Sequence, residues 1–271
     1  MVTQEQRKRQ LAREKFLRQQ QRRTAARRKA RMRNSVIASV LGVILVGSLA
    51  LYTSDVLKGG DDKSDAAATT PSATPSAIAD PCEKAAEGKV KTATWKKEPS
   101  MTIDKSAKYT MKLATTCGDI DIALKTKAAP HTVNSFSFLA AKGYFDHTKC
   151  HRLTTNGIYV LQCGDPTGSG SGGPGYTIPD ENLKDKSLKD NVYPAGTIAM
   201  ANTGQAHTGG SQFFLVYQDS QLPPSYTPFG TVSESGMTVL KKIAAAGEST
   251  GAGDGAPNAT VVINKATVTK S

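Results

Sequence analysis

The chain has 271 residues, 38% of them hydrophobic and 21% charged, a globular composition that excludes collagen-like, fully disordered and many-span membrane proteins. The formal net charge is +12, but thirteen basic and two acidic residues lie within residues 1–34, which leaves 22 basic and 21 acidic residues for the rest. The positive charge therefore belongs to one end of the chain, and we expect no nucleic-acid binding by the folded domain.

The first 53 residues divide into a basic arm and an apolar stretch. Residues 1–34 have only a thin apolar scatter, so we expect a solvated basic cytoplasmic arm. Residues 35–52 carry no charge, and as a helix they would be about 27 Å long, close to the roughly 30 Å of a bilayer core. The sequence thus predicts a transmembrane helix, a signal anchor, over residues 35–53. A cleaved signal peptide is the alternative, but its charged region is usually short, and Leu49-Ala50-Leu51 at the end of the apolar stretch fits an A-x-A-like cleavage site poorly.

The rest of the chain is expected outside the membrane, because the positive-inside rule keeps the basic arm in the cytoplasm. Residues 54–80 are mostly Ala, Thr, Ser, Pro and Asp, which predicts a flexible linker. Residues 81–106 form a partly ordered lead-in that contains the only tryptophan, Trp95. The folded domain then occupies residues 107–271.

The folded domain has mostly the patterns of strands. YTMKLATT and DIDIALKT alternate apolar and polar residues around a tight hairpin turn at Cys117-Gly118, and a helix follows from Pro130. CHRLTT and IYVLQCG flank Asn156-Gly157, a strong hairpin signal. Later strands are predicted at GTIAMAN, SQFFLVY, FGTV and TVVINKATV, with a second helix at MTVLKKIAAA. This order predicts a mainly β fold, a closed antiparallel β-barrel of about eight strands capped by two helices.

Common cofactor and metal motifs are not supported. The glycine-rich run 168–175 fits GxGxxG, but Pro174 follows where a dinucleotide site needs a helix N-terminus. His147, Cys150 and His151 lie close together without a CxxC, an HExxH or a second cluster to complete a metal shell. No GxSxG elbow is present. We therefore expect no cofactor and no metal.

One arginine stands out, because Arg152 is the only arginine after residue 34. Amides and an aromatic ring on neighbouring strands, Gln162, Asn202, Gln212 and Phe214, accompany it. At this point the sequence resembles the cyclophilins, through CHRL, LQCGD, the glycine-rich GSGSGGPGY, AMANTG, GGSQFFLVY and YTPFG in that order. The resemblance covers roughly residues 107–270, and the anchored form is similar to membrane-tethered cyclophilins of Gram-positive bacteria.

The resemblance implies roles for individual residues. Arg152 would be the catalytic arginine and Gln162 its supporting amide. The substrate-binding residues would be Tyr159, Val160, Gly170, Ala201, Asn202, Thr203, Gln212, Phe214, Leu222 and Tyr226. Because consecutive strand residues face opposite ways, Phe214 is assigned to the proline pocket and Phe213 to the core. Gln221 occupies the position of the family's tryptophan, which predicts weak cyclosporin binding.

These residues suit the isomerisation of X-Pro bonds. Rotation about such a bond is slow, because amide resonance sets a barrier of about 18–20 kcal/mol. A guanidinium cannot deprotonate, so Arg152 can donate a hydrogen bond to the prolyl nitrogen when the twisted amide localises its lone pair. That bond is stronger in the transition state than in the planar amide, which is the requirement for catalysis.

Four cysteines outside the cytoplasm allow two disulfides. We assign them to Cys150–Cys163 and Cys82–Cys117, with four free, buried thiols as the alternative.

The register of the hairpin at Asn156-Gly157 bears on the first of these disulfides. A strict two-residue turn would pair Cys150 with Cys163 and turn Gln162 away from Arg152. A bulge or a longer turn would put Arg152 and Gln162 on one face. The register is therefore expected to decide between the disulfide and the Arg152–Gln162 pair.

The sequence as a whole predicts a monomeric, single-pass plasma membrane protein. Its extracytoplasmic domain would act on proline-containing polypeptides as a peptidyl-prolyl cis-trans isomerase and assist the folding of exported proteins. Two alternatives stay open. One is a non-catalytic proline-peptide-binding chaperone on the same fold, and the other is an anchoring protein whose basic arm is the functional part.

Overall fold

The computed structural model of the protein describes residues 79–270. The predicted basic arm, the predicted transmembrane helix and almost all of the predicted linker lie outside these residues. Among residues 79–270, none of the helices has the length and apolar character that crossing a bilayer requires.

The described residues contain twelve strands, two α-helices and one short 3-10 turn, Lys189–Asn191. The strands are β1 (Tyr109–Thr115), β2 (Gly118–Leu124), β3 (Thr148–Lys149), β4 (Arg152–Thr154), β5 (Val160–Cys163), β6 (Val192–Tyr193), β7 (Thr197–Met200), β8 (Phe213–Val216), β9 (Ser220–Gln221), β10 (Pro228–Val232), β11 (Asp254–Gly255) and β12 (Val262–Lys270). The helices are α1 (Pro130–Ala141) and α2 (Glu234–Ala245). The fold is therefore mainly β with two helices, as the sequence predicts.

Helix α1 begins where its sequence favours a start. Pro130 occupies the first turn, where its missing N–H costs nothing. The carboxylate of Glu181 accepts hydrogen bonds from the backbone N–H groups of His131 (3.0 Å) and Thr132 (2.9 Å), which otherwise lack partners at a helix start. Helix α2 begins three residues before the predicted segment, because the Ser233 side chain caps it by accepting from the N–H of Gly236.

Ten strands form one curled antiparallel sheet in the order β11-β4-β5-β8-β7-β10-β2-β1-β12-β3, and β6 pairs separately with β9. No pairing joins the end strands β11 and β3 in the described part of the chain, so a closed barrel is not shown. The described residues also contain more strands than the eight or so that the sequence predicts. Strands β3, β6, β9 and β11 have two residues each, too few for alternation to reveal them.

The lead-in, residues 81–106, has no helix or strand but is tied to the domain at several points. A disulfide joins Cys82 to Cys117 in the turn between β1 and β2. The N–H of Trp95 donates to the carbonyl of Pro174 at 2.8 Å, and the indole packs against two aromatic rings of the core. The lead-in therefore contacts the glycine-rich loop as well as the sheet.

Candidate active site

The centre of the site is the hairpin of β4 and β5. Arg152 lies directly opposite Gln162, and Leu153 lies opposite Leu161. The guanidinium Nη1 of Arg152 donates to Gln162 Oε1 at 3.2 Å. The connection, residues 155–159, is longer than a two-residue turn, and this length places both side chains on one face of the sheet.

The structure also joins Cys150 to Cys163. The expectation that the register decides between this disulfide and the Arg152–Gln162 pair is therefore wrong, since both occur. The reason is that β4 begins only at Arg152. Cys150 lies outside that ladder, and its N–H donates to the carbonyl of Val261 at 3.0 Å. Cys150 and His151, between β3 and β4, belong to neither strand, so Cys150 is joined to Cys163 while Arg152 stays paired with Gln162.

A chain of amide hydrogen bonds extends from Arg152. Gln162 Nε2 donates to Gln212 Oε1 at 2.9 Å, and Gln212 Nε2 donates to the carbonyl of Gly172 at 2.9 Å. Each amide uses its oxygen on one side and its nitrogen on the other, so the guanidinium and the Gly172 carbonyl together fix both orientations. The site is thus linked to the glycine-rich loop.

Asp165 organises that loop. Its side chain is fully buried, and its carboxylate accepts hydrogen bonds from the N–H of Thr167 (2.7 Å) and the N–H of Gly172 (3.0 Å). Burial alone would raise the pKa of Asp165, but the N–H groups of Gly172 and Thr167 favour the charged form and lower the pKa to about 2. The ionised carboxylate therefore holds Gly172 where its carbonyl meets Gln212.

Sequence reasoning missed Asp254. Its two carboxylate oxygens accept hydrogen bonds from Arg152 Nε (2.7 Å) and Nη2 (2.8 Å). The hydrogen bond and the charge of Arg152 lower the pKa of Asp254, and the hydrogen bond to Asp254 raises the pKa of Arg152. Asp254 lies 102 residues after Arg152 in the run GAGDGAP, which resembles a loop, so no local pattern indicates the pair.

His151 also lines the site. Its two ring nitrogens are buried and have no hydrogen-bond partner among the described residues. Burial lowers the pKa of His151, and the positive charge of Arg152 lowers it further, while Asp165 acts in the opposite sense. The imidazole is therefore neutral at neutral pH, and Arg152 carries the positive charge of the site.

A cavity of about 530 Å³, lined by both apolar and polar side chains, opens beside the guanidinium. Phe214 forms part of its wall, and Phe213 lies in the main core, where it packs against Phe136 and Phe145. Strand alternation explains this division, since consecutive residues of β8 face opposite sides. The predicted residues that line this cavity are Arg152, Val160, Gln162, Gly170, Ala201, Asn202, Phe214, Leu222 and Tyr226.

A second cavity of about 880 Å³ adjoins the first, beneath the glycine-rich loop. Thr203 and Gln212 line it, and four residues contribute to both cavities: Gln162, Gly170, Ala201 and Asn202. The two cavities therefore form one continuous groove.

Tyr159 does not line either cavity, contrary to the resemblance-based assignment. Its ring packs against Tyr217 with centroids 5.9 Å apart. Ile158 and Val160 line the first cavity, and Tyr159, which lies between them in the connection before β5, does not.

The arrangement combines a fixed hydrogen-bond donor with a groove that has apolar walls at Val160, Phe214 and Leu222. No group of three or more His, Cys, Asp or Glu side chains within residues 79–270 is placed to hold a metal ion. Phe214, Val160 and Leu222 can contact an apolar ring, and the amides along the groove can hold the backbone next to that ring. The guanidinium of Arg152 can donate a hydrogen bond to an atom at the edge of the cavity.

The similarity to known proteins covers the same part of the chain. A family model described as cyclophilin type peptidyl-prolyl cis-trans isomerase/CLD matches residues 110–268. A probable peptidyl-prolyl cis-trans isomerase B of Mycobacterium leprae is 50% identical over 165 residues, which cover 58% of this chain and 56% of that protein. The protein of the same name in Mycobacterium tuberculosis is 48% identical over 165 residues, covering 58% of this chain and 53% of that protein.

A peptidyl-prolyl cis-trans isomerase of Helicobacter pylori is 39% identical over 141 residues, which cover 51% of this chain and 81% of that protein. The crystal structure of a cyclophilin type peptidyl-prolyl cis-trans isomerase of Cryptosporidium parvum matches with a TM-score of 0.51 and 26% identity, covering 60% of this chain and 99% of that one. The matches to the two mycobacterial relatives span little more than half of their length.

Proposed function

Since the chain belongs to the cyclophilin-type peptidyl-prolyl cis-trans isomerase family, we propose that it catalyses rotation about X-Pro peptide bonds. The observation that carries the proposal is the position of Arg152. Its guanidinium lines the first cavity, beside the apolar side chains of that cavity, and is held in place by Gln162 and Asp254. N–H groups that are not used in these bonds can reach a substrate there.

The reaction needs a donor that favours the twisted amide. In the planar X-Pro amide the nitrogen lone pair is delocalised, so the prolyl nitrogen accepts hydrogen bonds poorly. At the twisted transition state the lone pair localises on that nitrogen, and Arg152 can donate to it. The donor is already oriented before substrate arrives, so little reorganisation is needed when the bond strengthens.

The groove supplies the remaining requirements. The ring of Phe214 and the side chains of Val160 and Leu222 offer apolar contact to the proline ring. The adjoining second cavity accepts the neighbouring residues of the chain, beside Asn202 and Gln212. With the ring and one flank of the peptide held, rotation is confined to the X-Pro bond.

Exchange spectroscopy on a proline-containing peptide tests the proposal. Full-length wild type is compared with Arg152→Ala and with Lys149→Ala, which removes an exposed cation from β3. We expect exchange cross-peaks between the cis and trans peptide with wild type and Lys149→Ala, and their near loss with Arg152→Ala. If all three proteins shift the peptide resonances without exchange, the domain is a non-catalytic binder and the proposal fails.

We further propose that the domain works outside the cytoplasm as a monomer, anchored by residues 35–53, and that its clients are exported proteins. The uncharged stretch after a basic arm and the two disulfides support this location. Protease added to intact cells should release a fragment that contains the domain. Digestion only after the membrane is broken would contradict the proposal.

We also propose that the domain binds cyclosporin weakly, because of the residue at position 221. Gln221 stands where the family has tryptophan, and in the structure it is exposed on β9. Inhibition at nanomolar cyclosporin would contradict this proposal.

A further inference from the structure

We propose that Asp254 is a positioning residue for the reaction, one that holds the Arg152 guanidinium in the orientation from which it donates to the prolyl nitrogen. This inference rests on the proposed isomerase function. Asp254 also lines the first cavity, and the role proposed for it acts through its contact with Arg152.

The hydrogen bonds of Arg152 leave only some of its N–H groups free for a substrate. A guanidinium has five N–H groups. Asp254 takes one on Nε and one on Nη2, and Gln162 takes one on Nη1. One N–H on each of Nη1 and Nη2 is left, and the planar group points both in fixed directions. Three hydrogen bonds to two side chains therefore define which donors a substrate meets.

The backbone of Asp254 is itself fixed by strand pairing and by the turn before it. Strand β11 pairs with β4, so Asp254 lies opposite Thr154 on the strand that carries Arg152. The preceding turn is closed by Glu248, whose carboxylate accepts hydrogen bonds from the N–H groups of Thr250 (2.6 Å) and Gly253 (2.8 Å). The Asp254 backbone is therefore fixed relative to the arginine that its carboxylate binds.

Gly253 shows how closely this turn approaches the hairpin. Its φ of +90° is disfavoured for other residues, and a Cβ there would lie 2.5 Å from the Cβ of Asn156. The N–H of Thr155 donates to the Gly253 carbonyl at 2.9 Å. The turn that presents Asp254 is thus packed against the loop of the β4–β5 hairpin.

The ion pair of Arg152 and Asp254 contributes little to the stability of the fold. The side chains of Arg152 and Asp254 are 37% and 56% exposed, and ion pairs this exposed add little to the free energy of folding. An arginine side chain has several rotatable bonds, and fixing them before binding removes an entropy cost from the catalytic step. The expected effect of Asp254 is therefore on turnover and not on folding.

Asp254→Ala, Asp254→Asn and a control, Asp119→Ala, test the proposal in the full-length protein. Asp119 is 52% exposed in an ion pair with Lys112 on β1 and β2, so its removal matches the loss of an exposed pair away from the groove. We expect kcat/KM to fall about tenfold in Asp254→Ala, mostly through kcat, with Tm unchanged. Asp254→Asn keeps one acceptor and should fall in between, and Asp119→Ala should match wild type.

A second measurement separates positioning from a structural role. The Nε–H resonance of Arg152, identified by its loss in Arg152→Lys, should exchange slowly with water in wild type and rapidly in Asp254→Ala. In the Arg152→Lys background, Asp254→Ala should cause no further loss of kcat/KM, because the group it positions is gone.

Three results would overturn the proposal. The first is wild-type kcat/KM in Asp254→Ala, and the second is an Arg152 Nε–H whose exchange that substitution leaves unchanged. The third is an equal loss of Tm in Asp254→Ala and Asp254→Asn together with the loss of activity, which would make Asp254 a structural residue. A wild-type protein without isomerase activity would instead refute the proposed function.

Discussion

Arg152 and Gln162 face each other across the β4–β5 ladder, and the hydrogen bond between Nη1 and Oε1 determines which way round the Gln162 amide lies. Its nitrogen must then point to Gln212, whose own nitrogen must point to the Gly172 carbonyl. Reversing one amide would bring two acceptors together and break the chain of bonds. The guanidinium of Arg152 thus determines the amide orientation of both Gln162 and Gln212.

The first prediction concerns this chain of amides. In Gln162→Glu a carboxylate oxygen faces Gln212 Oε1, so Gln212 must rotate and leave the Gly172 carbonyl. We expect kcat/KM to fall about tenfold, the equivalent of about one hydrogen bond. Gln218→Glu adds the same charge at an exposed position and should have little effect. Peptide-exchange kinetics on both variants provide the measurement, and wild-type activity in Gln162→Glu would contradict the expectation.

The second prediction compares two adjacent phenylalanines. Phe213 and Phe214 are both buried, so each substitution to leucine should lower the free energy of unfolding by about 1–2 kcal/mol. Only Phe214 lines the cavity, so only Phe214→Leu should also raise KM, by several-fold. Urea unfolding and substrate titration on the pair provide the data. Equal KM values for the two variants would show that Phe214 does not contact substrate.

The third prediction separates the two disulfides. Cys82–Cys117 closes a sequence separation of 35 residues and Cys150–Cys163 one of 13. Loop entropy predicts losses of about 4 and about 3 kcal/mol when each pair is replaced by serines. Only the second pair adjoins Arg152 and Gln162, so its loss should also reduce kcat. Urea unfolding and peptide-exchange kinetics test both statements, and an equal loss of kcat in both variants would argue against a local effect.

The fourth prediction is a pH dependence of stability. The pKa of Asp165 is about 2 in the folded protein and ordinarily about 3.9 in an unfolded chain. A lowered folded-state pKa stabilises the protein above the unfolded value, and this stability is lost as the pH falls from about 4 to about 2. The loss should be about 2 kcal/mol.

Urea midpoints between pH 2 and pH 7 for wild type and Asp165→Asn measure this contribution. The difference between the two proteins should be constant above pH 5 and should shrink below pH 4. Asp119→Asn corrects for the loss of one charge. A difference that does not change with pH would mean that the loop does not depend on the ionised carboxylate.

Sequence reasoning succeeds where the signal is local and repeated. Strands β1 and β2 alternate in burial over seven residues each, and helix α1 repeats buried residues such as Val133 and Phe136 at helical spacing. These patterns arise from the backbone geometry itself, so they can be recognised before any tertiary contact is known.

The features that the sequence did not predict depend on contacts between residues that are distant in the chain. The partner of Arg152 lies 102 residues away, and only the pairing of β11 with β4 brings it near. Tyr159 lies in the connection between β4 and β5, where no alternation fixes its direction, and its ring packs against the distant Tyr217. Cys150, whose position outside β4 lets the disulfide and the Arg152–Gln162 pair occur together, donates a backbone hydrogen bond to the distant Val261. Each of these features is decided by chain segments that are distant in sequence.

The disulfide at the entrance to the domain has a mechanical consequence. A pull on the chain from the N-terminal side first meets the hydrogen bond from the N–H of Thr260 to Asp80 (3.0 Å), and beyond it the covalent bond from Cys82 to Cys117, in the turn between β1 and β2, carries the load. Residues 83–106, with their contact to the glycine-rich loop, lie beyond that bond and carry no tension. The groove can therefore keep its shape while the chain is under load.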